Sequence, residues 1–183
     1  MITLKQYLPL ALLITVWSSC IKPITYKEAT DALIKKYDKT DFSLFNQFYI
    51  HYQSSGNNIN SKIYFAGVRV KGFNCAPYAV EHSKFIIMDF FDISNKLVLQ
   101  SNCSDYMSDN QIKHMTSAID EYDFFMIEAD SVGNVYIRPY ESDHHVLLRS
   151  VPSPQKSVLE GFKHYKGRWY IHESALSKLQ SEQ

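Results

Sequence analysis

Glycine and proline are scarce, six of each in 183 residues, and cysteine is scarcer still at three. That is too little glycine and proline for a collagen-like, linker-like or low-complexity chain. The glycines are scattered, so no glycine-rich loop cradles a phosphate, and neither G-x-S-x-G nor a paired-carboxylate motif occurs. The cysteines never stand as C-x-x-C, which removes a thioredoxin-like site and a zinc ribbon. Charge of neither sign is in excess, with 19 Lys+Arg against 19 Asp+Glu. Basic residues form no stripe, so no nucleic-acid partner is expected. Aromatic residues, in contrast, are plentiful: 13 Tyr, 11 Phe and 2 Trp among 45% hydrophobic residues. Such a composition suits a packed domain better than a disordered stalk.

The longest apolar run is at the N-terminus. Lys5 gives a short positive start, Tyr7 to Trp17 is apolar, and Ser18 and Ser19 lead to Cys20. This order reads as a secretory signal peptide. The run is about half the roughly 20 residues that span a bilayer, so cleavage rather than retention is expected. Ser18-Ser19-Cys20 resembles the lipobox of bacterial lipoproteins, with Trp17 where that family usually has leucine. The resemblance implies that the Cys20 thiol receives diacylglycerol, that the chain is cut just before it, and that the new amino terminus is acylated. Two other readings stand beside it. One is ordinary signal-peptidase cleavage after Ser18, with Val16 and Ser18 as the small residues, which releases a soluble secreted or periplasmic protein. The other is a cysteine buried in a hydrophobic N-terminal helix. By the same family analogy, Ile21 in place of an aspartate favours the outer membrane, facing the periplasm. The chain thus divides into a signal peptide (1–19), a lipidated short tether (20–24) and a single domain (25–183).

With Cys20 acylated, Cys75 and Cys103 remain as a disulfide candidate pair. Bonded in an oxidising envelope, they close a 29-residue loop that contributes roughly 3 kcal/mol by the chain-entropy argument. The alternative is two small buried thiols that never meet.

Thr25 and Glu28 form a capping-box pattern, and Tyr26, Ala29, Leu33 and Tyr37 recur at helical spacing. A second helix is expected from Asp41, on the stripe of Phe42, Phe45, Phe48, Tyr49 and Tyr52, with a period-2 strand through Phe48, Ile50 and Tyr52 as the competitor. Residues 54–58 form a loop. Ile59–Lys71 alternates as a half-buried strand, Phe85–Phe91 reads as a central strand, and Lys96–Gln100 as another. Ser108 caps a helix with Ile112, Met115, Ile119 and Tyr122 on one face. Strands are then expected at Phe124–Ala129, Asn134–Tyr140, His145–Ser150, Val158–Tyr165 and Arg168–His172, the last two joined at Lys166-Gly167. The class is α+β, with N-terminal helices packed on a mainly antiparallel, curved sheet. Gly167, Trp169 and Ile171 resemble the Gly-x-Trp-x-Ile ending of sheets in the nuclear-transport-factor-2-like superfamily. That resemblance implies a cone-shaped fold with helices covering the sheet.

Candidate chemistry is sparse. Asp89, inside Phe-Ile-Ile-Met-Asp-Phe-Phe, falls on the face of Phe85, Ile87 and Phe91. Covered, it becomes a general base by desolvation; partly open or paired, it is inert. Glu128 poses the same question. Adjacent His144 and His145 point to opposite faces, and His82, His114, His164 and His172 stand at no zinc spacing, so neither metal nor cofactor is expected. Ser153-Pro154-Gln155-Lys156 has S-x-x-K letters but sits between prolines without its partner motifs. Tyrosine faces offer sugar stacking, yet most fall on periodic core positions.

The reading is a cell-envelope lipoprotein that acts as a non-enzymatic binding or assembly component, with an envelope protein or glycan as partner. The alternatives are a small hydrolase or isomerase using Asp89 in a cone-like pocket, and a carbohydrate-binding module. Because two or more acyl chains anchor stably where one holds marginally, Cys20→Ser is expected to move the protein from the membrane fraction to the soluble one. Fractionation with intact-mass spectrometry checks this, and a membrane-bound, unprocessed Ser variant would contradict it.

Overall fold

A computed structural model describes residues 24–58, 60–70, 75–94, 104–141 and 147–180. In them an antiparallel sheet of nine strands carries three α-helices, an α+β arrangement. Chain order is α1 (Tyr26–Tyr37), β1 (Phe48–Ser55), β2 (Ser61–Val68), β3 (Tyr78–Lys84), β4 (Asp89–Ser94), α2 (Asp109–Tyr122), β5 (Met126–Ala129), β6 (Val135–Arg138), β7 (Leu147–Arg149), β8 (Phe162–Lys166), β9 (Trp169–His172) and α3 (Glu173–Gln180). Across the sheet the order is β4-β3-β2-β1-β5-β6-β7-β9-β8.

Registered pairs place one buried residue per strand in a continuous file: Tyr78, Ala66, Ile50, Ile127, Ile137, Leu147 and Ile171. All are at most 5% exposed. Alternation along each strand aims these side chains at one face. Ile112, Met115 and Ile119 of α2 and Ile34 and Tyr37 of α1 join them in one core. Trp169 is fully buried on this face, and its indole N–H donates to Asp38 Oδ1 at 2.8 Å, which ties β9 to the end of α1.

The helix starts follow the capping signals. Thr25 Oγ1 accepts from Glu28 N at 3.2 Å while Glu28 Oε2 accepts from Thr25 N at 2.9 Å, so two orphan donors of α1 are satisfied reciprocally. Ser108 Oγ accepts from Gln111 N to start α2, and Asp123, at φ 55°, ends it.

Several expectations are corrected. Helices are not confined to the N-terminal part, since α2 lies mid-chain and α3 closes it. Ala175 and Leu179 of α3 are buried, so tertiary packing rather than a strong cap holds that helix. The helix expected from Asp41 is a single 3₁₀ turn, Ser43–Phe45, followed by β1. Gln47 at φ 69° breaks the helical path, and Ile50 enters the file while Tyr49 faces the other way. Phe85–Phe91 is not a central strand: residues 85–88 turn at the sheet's outer hairpin, with Phe85 N donating to Met88 O at 3.3 Å. A 3₁₀ turn, Lys156–Leu159, replaces the first half of the strand expected at 158–165. The strand expected at Lys96–Gln100, and His144–His145, lie outside the described residues.

Ile50 and Ile127 join the two halves of the file, and both are fully buried. Ile50→Ala is expected to cost about 2–5 kcal/mol through lost transfer energy and the cavity left behind. Urea unfolding of the variant beside its parent measures the difference.

Candidate functional site

Beyond the apolar stretch of α2, the core-facing side of β2, β3 and β4 turns polar. Lys62 pairs in register with His82, and Lys84 with Asp89, so strand alternation sets all four on the face that α2 covers. Asp120, one residue after the buried Ile119, comes down among them from α2. Its Oδ1 receives Lys62 Nζ at 2.5 Å and Tyr64 Oη at 2.9 Å, and Lys84 Nζ reaches Oδ2 at 3.5 Å. His82, 2% exposed, stacks on Phe91 at 4.5 Å between centroids. Its Nδ1 stands 4.0 Å from Asp120 Oδ2 and its Nε2 is 3.3 Å from Asp89 Oδ2. That second contact has ion-pair distance without hydrogen-bond alignment, so Nε2 is close to a carboxylate yet lacks a true acceptor.

Burial pushes the Asp120 carboxyl up, but hydrogen bonds from Lys62 and Tyr64 and attraction from Lys62 and His82 outweigh it, and its pKa ends below the usual carboxylate value. Burial, reinforced by the Asp120 charge, drives the Tyr64 phenol far above its usual range, so it remains a donor.

A cavity of ≈ 500 Å³ opens over this cluster, lined among others by Tyr52, Ser55, Asn58, Asn60 and Ser61. The β1–β2 connection forms its rim and is braced by Glu81, whose Oε1 accepts from Ser61 Oγ at 2.8 Å and Asn57 N at 3.0 Å. A Cβ on Gly56 would meet Ser61 Oγ at 2.1 Å and Glu81 Oε1 at 2.5 Å, so the close approach needs a glycine there.

No family model, curated protein or solved structure matches this chain. Its chemistry therefore rests on its own geometry.

Asp89 does share a face with Phe91, but Phe85 and Ile87 leave that strand for the turn, and the Asp89 side chain is 35% exposed. It is paired rather than covered. Glu128 lies on the opposite face, 3.3 Å from Arg69, whose guanidinium sits 4.0 Å over the Tyr136 ring. Burial raises its pKa and Arg69 opposes the rise. His114 is on α2, His164 on β8 and His172 on β9, whereas His82 is on β3. Cys20 and Cys103 lie outside the described residues, and Cys75 is half-buried just before β3.

The sequence reading missed the union of Lys62, His82, Lys84 and Asp120. Its signal was the pair of period-2 steps, Lys62-x-Tyr64 and His82-x-Lys84, each continuing a buried strand face.

Because the folded-state pKa of Asp120 is depressed, its contribution is present above the unfolded value and lost as pH falls through the folded one. Asp120→Asn is expected to destabilise the protein by about 1.5–3 kcal/mol near neutrality, the range for hydrogen bonds to a charged group. The gap should close in acid. Denaturant unfolding of both proteins across pH 2–7 measures it.

Proposed function

We propose that this chain is a lipid-anchored cell-envelope protein that works as a non-enzymatic binding component. Its anchor is Cys20, and the outer membrane facing the periplasm is its favoured location. Its ligand is a polar envelope polymer, a glycan or a protein segment, held in the cavity over the Lys62–Asp120 cluster. The observation that carries this reading is the full engagement of Asp120. Asp120 is occupied by Lys62, Tyr64 and Lys84, leaving its oxygens committed to structure rather than free for proton transfer. The rim above, with Ser55, Asn58 and Asn60, offers amide and hydroxyl groups of the kind that recognise hydroxyl-rich or peptide ligands. Among the described residues no helix is long and apolar enough to cross a membrane, and the proposed attachment is through lipid.

One observation favours a second reading, a small hydrolase or isomerase. A buried His82, which lines the cavity, stands beside Asp89, and a His–carboxylate pair is a recurrent acid–base unit. In that reading the Gly167-Trp169-Ile171 strand belongs to a curved sheet like that of the nuclear-transport-factor-2-like superfamily.

Purified cell-wall glycan separates the two. The binding reading expects the protein to co-sediment with it, to release no soluble fragments, and to lose binding in Asn58→Ala/Asn60→Ala. Fragment release abolished by Asp89→Asn would replace it with the enzyme reading. Neither binding nor release would sink the glycan ligand, leaving a protein segment as the occupant to be sought by cross-linking at Ser55.

A further inference from the structure

The outer hairpin of the sheet ends in a run without a polar atom in its side chains other than sulfur: Phe85-Ile86-Ile87-Met88. Ile86 and Ile87 are 105% and 90% exposed, Phe85 and Met88 51% and 55%, and Phe90 just beyond is 54% exposed. Single exposed apolar residues are ordinary, but five together at a hairpin tip mark a contact surface. Lys84 before it and Asp89 after it are register partners, and each is tied into the polar cluster, Lys84 to Asp120 and Asp89 against His82.

We propose that this tip inserts into the lipid surface to which the chain is anchored, as a second, non-covalent membrane contact. The inference rests on the lipid-anchor reading of Cys20. Only Ile21, Lys22, Pro23 and Ile24 separate that cysteine from the capping residue of α1. At about 3.3–3.6 Å per residue the link reaches less than ~20 Å, so the folded body is confined to the bilayer surface. The start of α1 lies beside α3, with Lys178 Nζ 5.6 Å from the Tyr26 ring centroid, so the tether enters at the helix that follows β9. The shape of the tip also selects the occupant. Isoleucines that project with nothing beside them form a convex point rather than a groove, and fluid acyl chains mould around such a point. Lys84, its side chain 62% exposed at the base, is set at the level of anionic headgroups.

The test uses the acylated protein carrying Ile87→Trp, reconstituted in vesicles of phosphatidylethanolamine and phosphatidylglycerol with or without bromine on the acyl chains. Processing removes Trp17, and the remaining Trp169 is fully buried, so the parent gives the background emission. Position 87 touches no core residue, and an unchanged urea midpoint confirms folding. The introduced tryptophan is expected to emit at shorter wavelength and to lose its added emission in brominated vesicles, falling to the parent's level. Emission that persists in brominated vesicles overturns the insertion, whatever holds the protein to the membrane. Intact mass of the same sample reports on the anchor separately. If no acyl chain is found, the anchor reading fails, and quenching of the introduced tryptophan on vesicles still decides the tip. Ile86→Ser/Ile87→Ser in the Cys20→Ser background should abolish residual vesicle binding, and residual binding unaffected by it would also count against insertion.

Discussion

Seven strands each contribute one buried side chain to a single file, and α1 and α2 pack into the same core. This file, from Tyr78 to Ile171, is the constraint on which the remaining geometry depends. A slip of one residue in any strand would turn its whole buried set to the other face. With register fixed, Lys62, His82 and Lys84 have no choice of face. They continue the buried side of β2 and β3 past the last apolar turn of α2, where Asp120 meets them. The polar cluster is thus a product of core packing, at the point where the helix stops excluding water completely.

The same cluster serves two purposes. It floors the cavity, and through Lys84 and Asp89 it adjoins the base of the apolar hairpin. An occupant that drew Lys84 from Asp120 would loosen one side of the tip. Insertion of the tip would in turn fix the geometry of the cavity floor. Linkage of this kind is reciprocal by thermodynamic necessity.

Some of this organisation was legible in the chain and some was not, for physical reasons. The capping box at Thr25 and the Ser108 cap act within four residues, so both helices could be read locally. The segment from Asp41 could not, because Phe48 and Tyr52 fit both the helical stripe with Phe42 and Phe45 and the extended one with Ile50. The choice was made by pairing with β2 and β5, which a local pattern does not contain. Phe85–Phe91 misled in the opposite way. A continuous apolar run reads as a buried strand when burial is assumed to be its only use, and here it is the most exposed apolar part of the described chain. α3 lacks a strong start signal and forms on the core through Ala175 and Leu179. Asp89 was singled out, but its neighbour His82 was not attached to it, since the pairing runs across a hairpin rather than along a strand.

The seam between β1 and β5 has a consequence for how the chain reaches this state. On one side, β1 to β4 form a meander of consecutive hairpins, and on the other β5 to β9 pair mostly with near neighbours. Three registered pairs, Tyr49–Glu128, Ile50–Ile127 and His51–Met126, stitch β1 to β5, flanked by backbone bonds from Gln47 N to Ala129 O and from Tyr52 N to Phe125 O, and they join residues far apart in the sequence. The strands of each half pair on local contacts, while the seam must wait for a long loop to close. The long-range part of assembly is therefore this short stretch of ladder together with the docking of α1 on β9 through Asp38 and Trp169, and a sheet half made first presents Ile50 on an unpaired edge until the other arrives.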